Sequence, residues 1–263
     1  MSQKRLLKKE MEIQLDALKK VQELLDSGDT EGAADVLRSR IDDLTEKTEE
    51  SEHAFHGNHA DKLLQMENAE TIYKDDFLEL RPINTLEMAE DYAAVRQENF
   101  IILEYIDTEE LKQLMVEEAM DDQTLYCGIY SSISGAFTGY CGINDIYNSD
   151  MELAVEILKA HQRQGYAYNG LRAFMDAIKT EIGNPHFIVK VDPGNHASQR
   201  LMTKLGFKPA GIDTFLPFDE EQLNKIEEES LDQITDDLIP LAEVFGVEPR
   251  KLLTHVLVYE VNV

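Results

Sequence analysis

Apolar positions in the first part of the chain repeat with helical spacing. Between residues 2 and 26 they fall at Leu6, Leu7, Met11, Ile13, Leu15, Leu18, Val21 and Leu24-Leu25, with charges interleaved. Ser27-Gly28-Asp29 breaks this run, and Asp29 with Thr30 offers caps for a second helix reaching about Thr45. Its apolar face is Ala33, Val36, Leu37, Ile41 and Leu44. A weakly patterned stretch from His53 to Asn58 follows, and a third short helix is predicted over Ala60 to Glu70. Residues 1–75 therefore read as a helical appendage, a hairpin or small bundle. Its stripes serve packing, a homodimer contact or a protein partner, since apolar residues at this spacing need burial.

Beyond residue 76 the period changes. Glu79 to Ile83 reads as a strand and Leu86 to about Asn99 as a helix. Leu125–Tyr130 and Ala136–Ile143 alternate as strands joined by the turn Ser131-Ser132-Ile133-Ser134-Gly135, and Leu153–Leu158 would complete an antiparallel meander. A periodic helix is predicted over Asn169–Ile182, then a buried-type strand over Phe187–Val191, ended by Asp192-Pro193-Gly194. Asp219 to Phe245 is acidic and helical, with Leu223, Ile226, Leu231, Ile234, Leu238, Leu241 and Phe245 on a rough stripe. The predicted class is α/β: a mixed, mostly antiparallel central sheet flanked by helices. No internal repeat is present.

The junction before the Asn169 helix carries the clearest chemistry. Gln162-Arg163-Gln164-Gly165-Tyr166-Ala167 is a short Gly-containing loop between a strand and a helix. Such a loop aims backbone N–H groups at one point, where the positive end of the helix dipole also points, so it suits an anionic phosphate. Charge supports an anion site here. The chain carries −27 overall, yet residues 159–211 hold eight Lys/Arg against three acids, a window of +5.

From Phe77 to about Ala210, and again from Thr254 to Val263, the chain resembles the GNAT family of acyl-CoA-dependent N-acyltransferases. The pieces are Leu78-Glu79-Leu80-Arg81-Pro82-Ile83, Glu152-Leu153-Ala154-Val155, the Gln162 to Ala167 loop, Phe187 to Asp192, Asn195-His196-Ala197-Ser198 and Leu205-Gly206-Phe207, in that order. The resemblance lies nearest the branch of ribosomal-protein N-terminal and small-amine acetyltransferases. It implies that Gln162, Arg163, Gln164, Gly165, Tyr166 and Ala167 hold the pyrophosphate of acetyl-CoA by backbone N–H groups. Gly165 would allow the close approach, since a side chain would block it. Backbone near Ile157, Leu158 and Lys159 would pair with the pantetheine arm, an N–H near Ile157 would polarise the thioester carbonyl, and Asn195 and Ser198 would contact the cofactor arm. Arg200 and Lys204, four apart on one predicted helix, share a face and meet either a CoA phosphate or surface acids.

The implied reaction is direct attack of a neutral amine on the thioester, so no Ser or Cys nucleophile is needed and catalysis rests on positioning and proton transfer. Glu152 and Glu156, four apart on one strand, share a face. The family often places its base near the start of this strand, making Glu152 the first candidate and Glu156 the second. Two departures stand out. Met202 occupies the position where many members carry a Tyr that protonates the leaving thiolate, and a thioether cannot donate a proton. Residues 217–252, −9 over 212–253, replace a short hairpin; bordering the family's acceptor position, this insertion is either a lid selecting cationic substrates or a solvated helix.

Two readings of function follow. One is an N-acetyltransferase acting from acetyl-CoA on a primary amine, on a cationic small molecule or a protein N-terminus. The other is a CoA-binding regulatory or interaction module without turnover. The acidic bulk disfavours nucleic acid. No run approaches the roughly 20 apolar residues that cross a bilayer, and the N-terminus lacks the features of a signal peptide, so a cytoplasmic setting without membrane attachment is expected. Cys127 and Cys141 lie on neighbouring predicted strands and are expected as buried thiols. No spacing of His and Cys suggests a metal.

Overall fold

A computed structural model describes residues 59–99 and 108–263; the predicted helices within 2–45 lie outside these residues. The described chain divides into two compact units, one reaching Gly211 and resuming at Leu257–Val263, the other spanning Ile212–Val256.

In the first unit, α1 (Ala60–Glu67) leads to β1 (Tyr73–Lys74) and β2 (Leu78–Pro82). Then come α2 (Leu86–Asn99), α3 (Thr108–Ala119), β3 (Leu125–Ser131), β4 (Phe137–Ile143) and β5 (Asp150–Ile157). After a short 3₁₀ turn (Lys159–His161) follow α4 (Tyr166–Ile182), β6 (His186–Val191), α5 (His196–Leu205) and β7 (Lys208–Asp213); β8 (Val256–Asn262) closes the chain. The eight strands form one sheet in the order β1-β2-β3-β4-β5-β6-β8-β7. Every pairing from β1 to β5 is antiparallel, as the predicted meander requires, while β5 and β6, joined through α4, run parallel. Sheet class and layering agree with the sequence reading.

The sheet is covered on both faces, which explains why all seven residues of β3 are buried rather than alternating. On one face lies α4. Its Gly170, Leu171, Phe174 and Ile178 repeat at helical spacing and are buried, and Gly170 lies so close to Ile129 that a Cβ would reach Ile129 Cδ1 at 2.8 Å. On the other face, α2 and α3 supply Ala89, Tyr92, Ala93, Leu111, Met115 and Val116 to a core that includes Tyr126 and Tyr140. Helix α3 escaped the sequence reading, although Leu111, Met115, Val116 and Ala119 do follow a helical period; its abundant acids hid the stripe. Cys127 and Cys141 sit directly opposite on β3 and β4, both free and buried.

Helix termini follow local chemistry. Asn195 caps α5, its Oδ1 accepting from Ser198 N at 3.1 Å, and Gly206 ends the helix in the left-handed region. In the second unit the acidic stretch is not one continuous helix. It breaks into α6 (Glu220–Glu228), a 3₁₀ turn (Leu231–Gln233), α7 (Leu238–Phe245) and a second 3₁₀ segment (Pro249–Leu253). An Asp219/Gln222 capping box starts α6. Glu227 is fully buried there, accepting from Thr254 Oγ1 at 2.7 Å with Lys251 Nζ at 3.3 Å.

Candidate active site

The site grows from the place where β5 and β6 part. Their parallel ladder holds Asp150↔His186, Met151↔Phe187 and Glu152↔Ile188 and then stops. Glu152 O accepts from Asn144 N, and Leu158 N donates to Thr138 O, so even-numbered residues of β5 turn their backbone groups toward β4. By strand alternation, Val155 and Ile157 turn theirs toward the opened β6 side. The close approach on the β4 side depends on Gly139, where a Cβ would strike Glu156 O at 2.2 Å.

The backbone predicted to receive a cofactor arm is only partly available. Leu158 N is bonded to Thr138 O at 3.0 Å, and Lys159 N faces the Glu98 carboxylate at 3.3 Å. Ile157 O accepts from Gln162 Nε2 at 3.1 Å. Val155, which the sequence reading did not single out, shares the open edge with Ile157; strand alternation is the signal that could have found it.

The loop after β5 has the conformation of an anion cradle. Arg163 has φ 62, alone among described non-glycine residues in being positive, and Gly165, the N-cap of α4, has φ 95. Among the described residues, no backbone N–H from Arg163 to Tyr168 finds a hydrogen-bond partner. Helix α4 starts at Tyr166 rather than Asn169, so Tyr166, Ala167 and Tyr168 form its first turn and contribute its free N–H groups. Gln162, Arg163, Gln164 and Gly165 are exposed. Tyr166 is buried and stacked on Phe77, with ring centroids 4.8 Å apart, which anchors the loop to the sheet. Lys204 Nζ lies 3.9 Å from the Tyr168 ring centre and Arg172 Cζ 5.8 Å from it, so two cations flank the first turn.

The two candidate carboxylates share a face but not an environment. Glu152 is ion-paired, with Oε2 2.9 Å from Lys190 Nζ and Oε1 accepting from Asn144 Nδ2 at 2.9 Å. Asn144 Oδ1 in turn accepts from Tyr126 OH at 3.0 Å. Glu156 Oε1 accepts from Tyr140 OH at 3.0 Å and from Arg96 Nη1 at 3.3 Å. Burial raises the Glu156 pKa, against the opposing pull of Arg96 and of hydrogen bonds from Tyr140 and Asn99. Arg96 and Tyr140 are the partners that sequence reasoning missed; they come from separate elements and carry no motif. Met202 is buried on α5, and among the described residues no cluster of three His, Cys, Asp or Glu is arranged to hold a metal.

The sequence family described as an acetyltransferase (GNAT) domain matches residues 78–208. The chain belongs to the GNAT family of acyl-CoA-dependent N-acyltransferases. No curated protein sequence matches it. Among solved structures, an acetyl transferase from Salmonella typhimurium, described as modifying the N-terminal serine of a ribosomal subunit protein, has a TM-score of 0.51. It shares 16% identity, with 74% of this chain and 99% of that one covered. A putative ribosomal-protein-serine acetyltransferase from Vibrio cholerae has a TM-score of 0.48 at 17% identity, covering 73% and 96%. A mutant of spermidine N-acetyltransferase from Vibrio cholerae has 0.48 at 15%, covering 72% and 95%. The first of these supports the fold alone. Among the described residues, no helix of this GNAT protein is long and apolar enough to cross a membrane.

Proposed function

We propose that this protein transfers an acetyl group from acetyl-CoA to a primary amine, on a cationic small molecule or a protein N-terminus. The observation that carries this reading is the row of unpartnered N–H groups from Arg163 to Tyr168 at the start of a 17-residue helix. That row, left open by Gly165, fits the pyrophosphate of acetyl-CoA. Lys204 and Arg172 stand beside it for further phosphate charge, and Asn195 orders the start of α5. The backbone of Val155 and Ile157 lines the edge open to the pantetheine arm. When bound, acetyl-CoA supplies the activated acetyl group.

The chain's own part is positioning and proton transfer. Glu156, rather than Glu152, is the better base. A carboxylate with a raised pKa accepts a proton from an ammonium more readily, whereas Glu152 is taken up by its ion pair with Lys190. Glu156 also lies beyond the last β5–β6 pair, beside the opened edge, while Glu152 is within the closed ladder. An acidic chain attracts cationic acceptors, consistent with a polyamine or a basic N-terminus.

Calorimetric titration of acetyl-CoA into the protein and into Gly165→Glu tests the reading. Saturable binding by the unmodified chain, lost in the variant, is expected. Absence of binding by the unmodified chain would reject it. Binding without turnover across polyamines and basic peptides would favour a CoA-binding regulatory module.

A further inference from the structure

Arg96 lies in the last turn of α2, between two carboxylates and two phenols. Its Nη1 is 3.3 Å from both Glu156 Oε1 and Tyr140 OH, and its Nη2 is 3.6 Å from Glu118 Oε2 on α3. Cζ stands 5.8 Å from the Tyr92 ring centre. The guanidinium engages neither carboxylate through a paired fork, and among the described residues its buried Nε has no hydrogen-bond partner. One cation is thus divided between Glu156 of the sheet and Glu118 at the rim, with neither contact saturated.

We propose that Arg96 is a positioning residue whose division between Glu118 and Glu156 sets how readily Glu156 accepts a proton. This rests on the reading of Glu156 as the base. The groups that face Glu156 are Arg96 and Asn99 from α2, Tyr140 from β4 and, farther off, Glu118 from α3. Burial and Glu118 favour the protonated acid; Arg96, Tyr140 and Asn99 favour the carboxylate. Tyr140 is fully buried, and burial raises its pKa well above the ordinary tyrosine value, so it stays a neutral donor to Glu156 and carries no charge itself. The charges that act on Glu156 therefore rest with Arg96 and Glu118. The Glu118 side chain is 38% exposed against 26% for Glu156, so Glu118 is the more open of the two to solvent and to an approaching cation. A cation drawn to Glu118 would release Arg96 toward Glu156.

Carboxyl carbon NMR of the full chain, labelled with ¹³C-glutamate, reads this directly. The Glu156 signal is assigned as the one missing in Glu156→Gln, and its titration is followed from neutral to mildly acid pH. Arg96→Gln is expected to move the midpoint to higher pH, by about one unit or more, because an opposite charge is lost. Glu118→Gln is expected to move it to lower pH, and Arg96→Lys to leave it near the unmodified value. Opposite shifts cannot come from general loosening. Shifts in the same direction, or no shift in Arg96→Gln, would overturn the proposal. If Arg96→Gln does not fold, Glu118→Gln decides alone, and an unmoved or raised midpoint would reject the coupling. Failure of the base assignment shows separately, as Glu156→Gln turning over amines at the unmodified rate while the titration shifts persist.

Discussion

The two faces of the central sheet come from the same strands and differ in what they bury. Toward α4 the strands present apolar side chains, and Ile129 meets a helix face of Gly170, Leu171, Phe174 and Ile178. Toward α2 and α3 they present Tyr126, Tyr140, Asn144, Glu152 and Glu156, partnered among themselves and by Arg96 and Lys190. Residue alternation makes this division possible, because successive side chains point to opposite faces. An apolar face gains stability with every contact, whereas buried polar groups need partners to offset lost hydration. The α4 face is built to hold the loop still, and the opposite face to keep ionisable groups near the opened edge.

Substitutions on each face should separate these roles. The largest effect belongs to the polar face: Glu156→Gln is expected to lower kcat/KM for an amine about 10²- to 10⁴-fold. Glu152→Gln, which breaks only a Lys190 pair, should cost less than about tenfold, and parallel steady-state assays compare them. If Glu152→Gln proves the more damaging, the base is reassigned to it. On the apolar face, Phe174→Ala should destabilise by about 3–5 kcal/mol through the cavity it leaves, measured by urea unfolding. The Glu156 titration should remain unmoved in that variant. Between the faces lies Gly139→Ala, whose Cβ would collide with the Glu156 carbonyl. It should lose about 1–3 kcal/mol and turnover together, since overpacking there pushes β5 out of line.

A smaller effect concerns pH. Glu79 on β2 is held by hydrogen bonds from Arg81, Lys74 and Thr71, and these lower its pKa from 4.5 to about 2, chiefly through Arg81, although burial works the other way. The folded value lies below the ordinary one, so this contribution to stability is complete above about pH 4.5 and is lost as pH falls toward 2. Urea midpoints of the unmodified chain and Glu79→Gln should therefore differ at pH 7 and converge only as pH reaches about 2. A gap that stays constant would assign the difference to packing instead.

Local pattern carried much of this molecule into view. Strands β2 to β6, α2, α4 and the Gly165 loop were legible because each depends on residues a few positions apart: alternation in β3 and β4, helical period in α4, and a glycine where the chain needs a left-handed turn. The broken acidic helix was not foreseen, because its stripe continues across Ser230 to Asp237 while the backbone does not. Glu152 was placed before Glu156 on the family's habit of setting its base near the start of this strand, and nothing local bore on that order.

What the sequence determined by itself was therefore the class of the sheet, the family to which it belongs and the position of the loop between β5 and α4. These follow from short-range periodicity and from motifs whose parts touch along the chain. Tertiary structure alone decided how different the surroundings of Glu152 and Glu156 are. Lys190 reaches Glu152 from β6, while Arg96 and Tyr140 reach Glu156 from α2 and β4, 60 and 16 residues away. Burial and charge act through space, and a carboxylate's proton affinity is set by whatever folding brings against it.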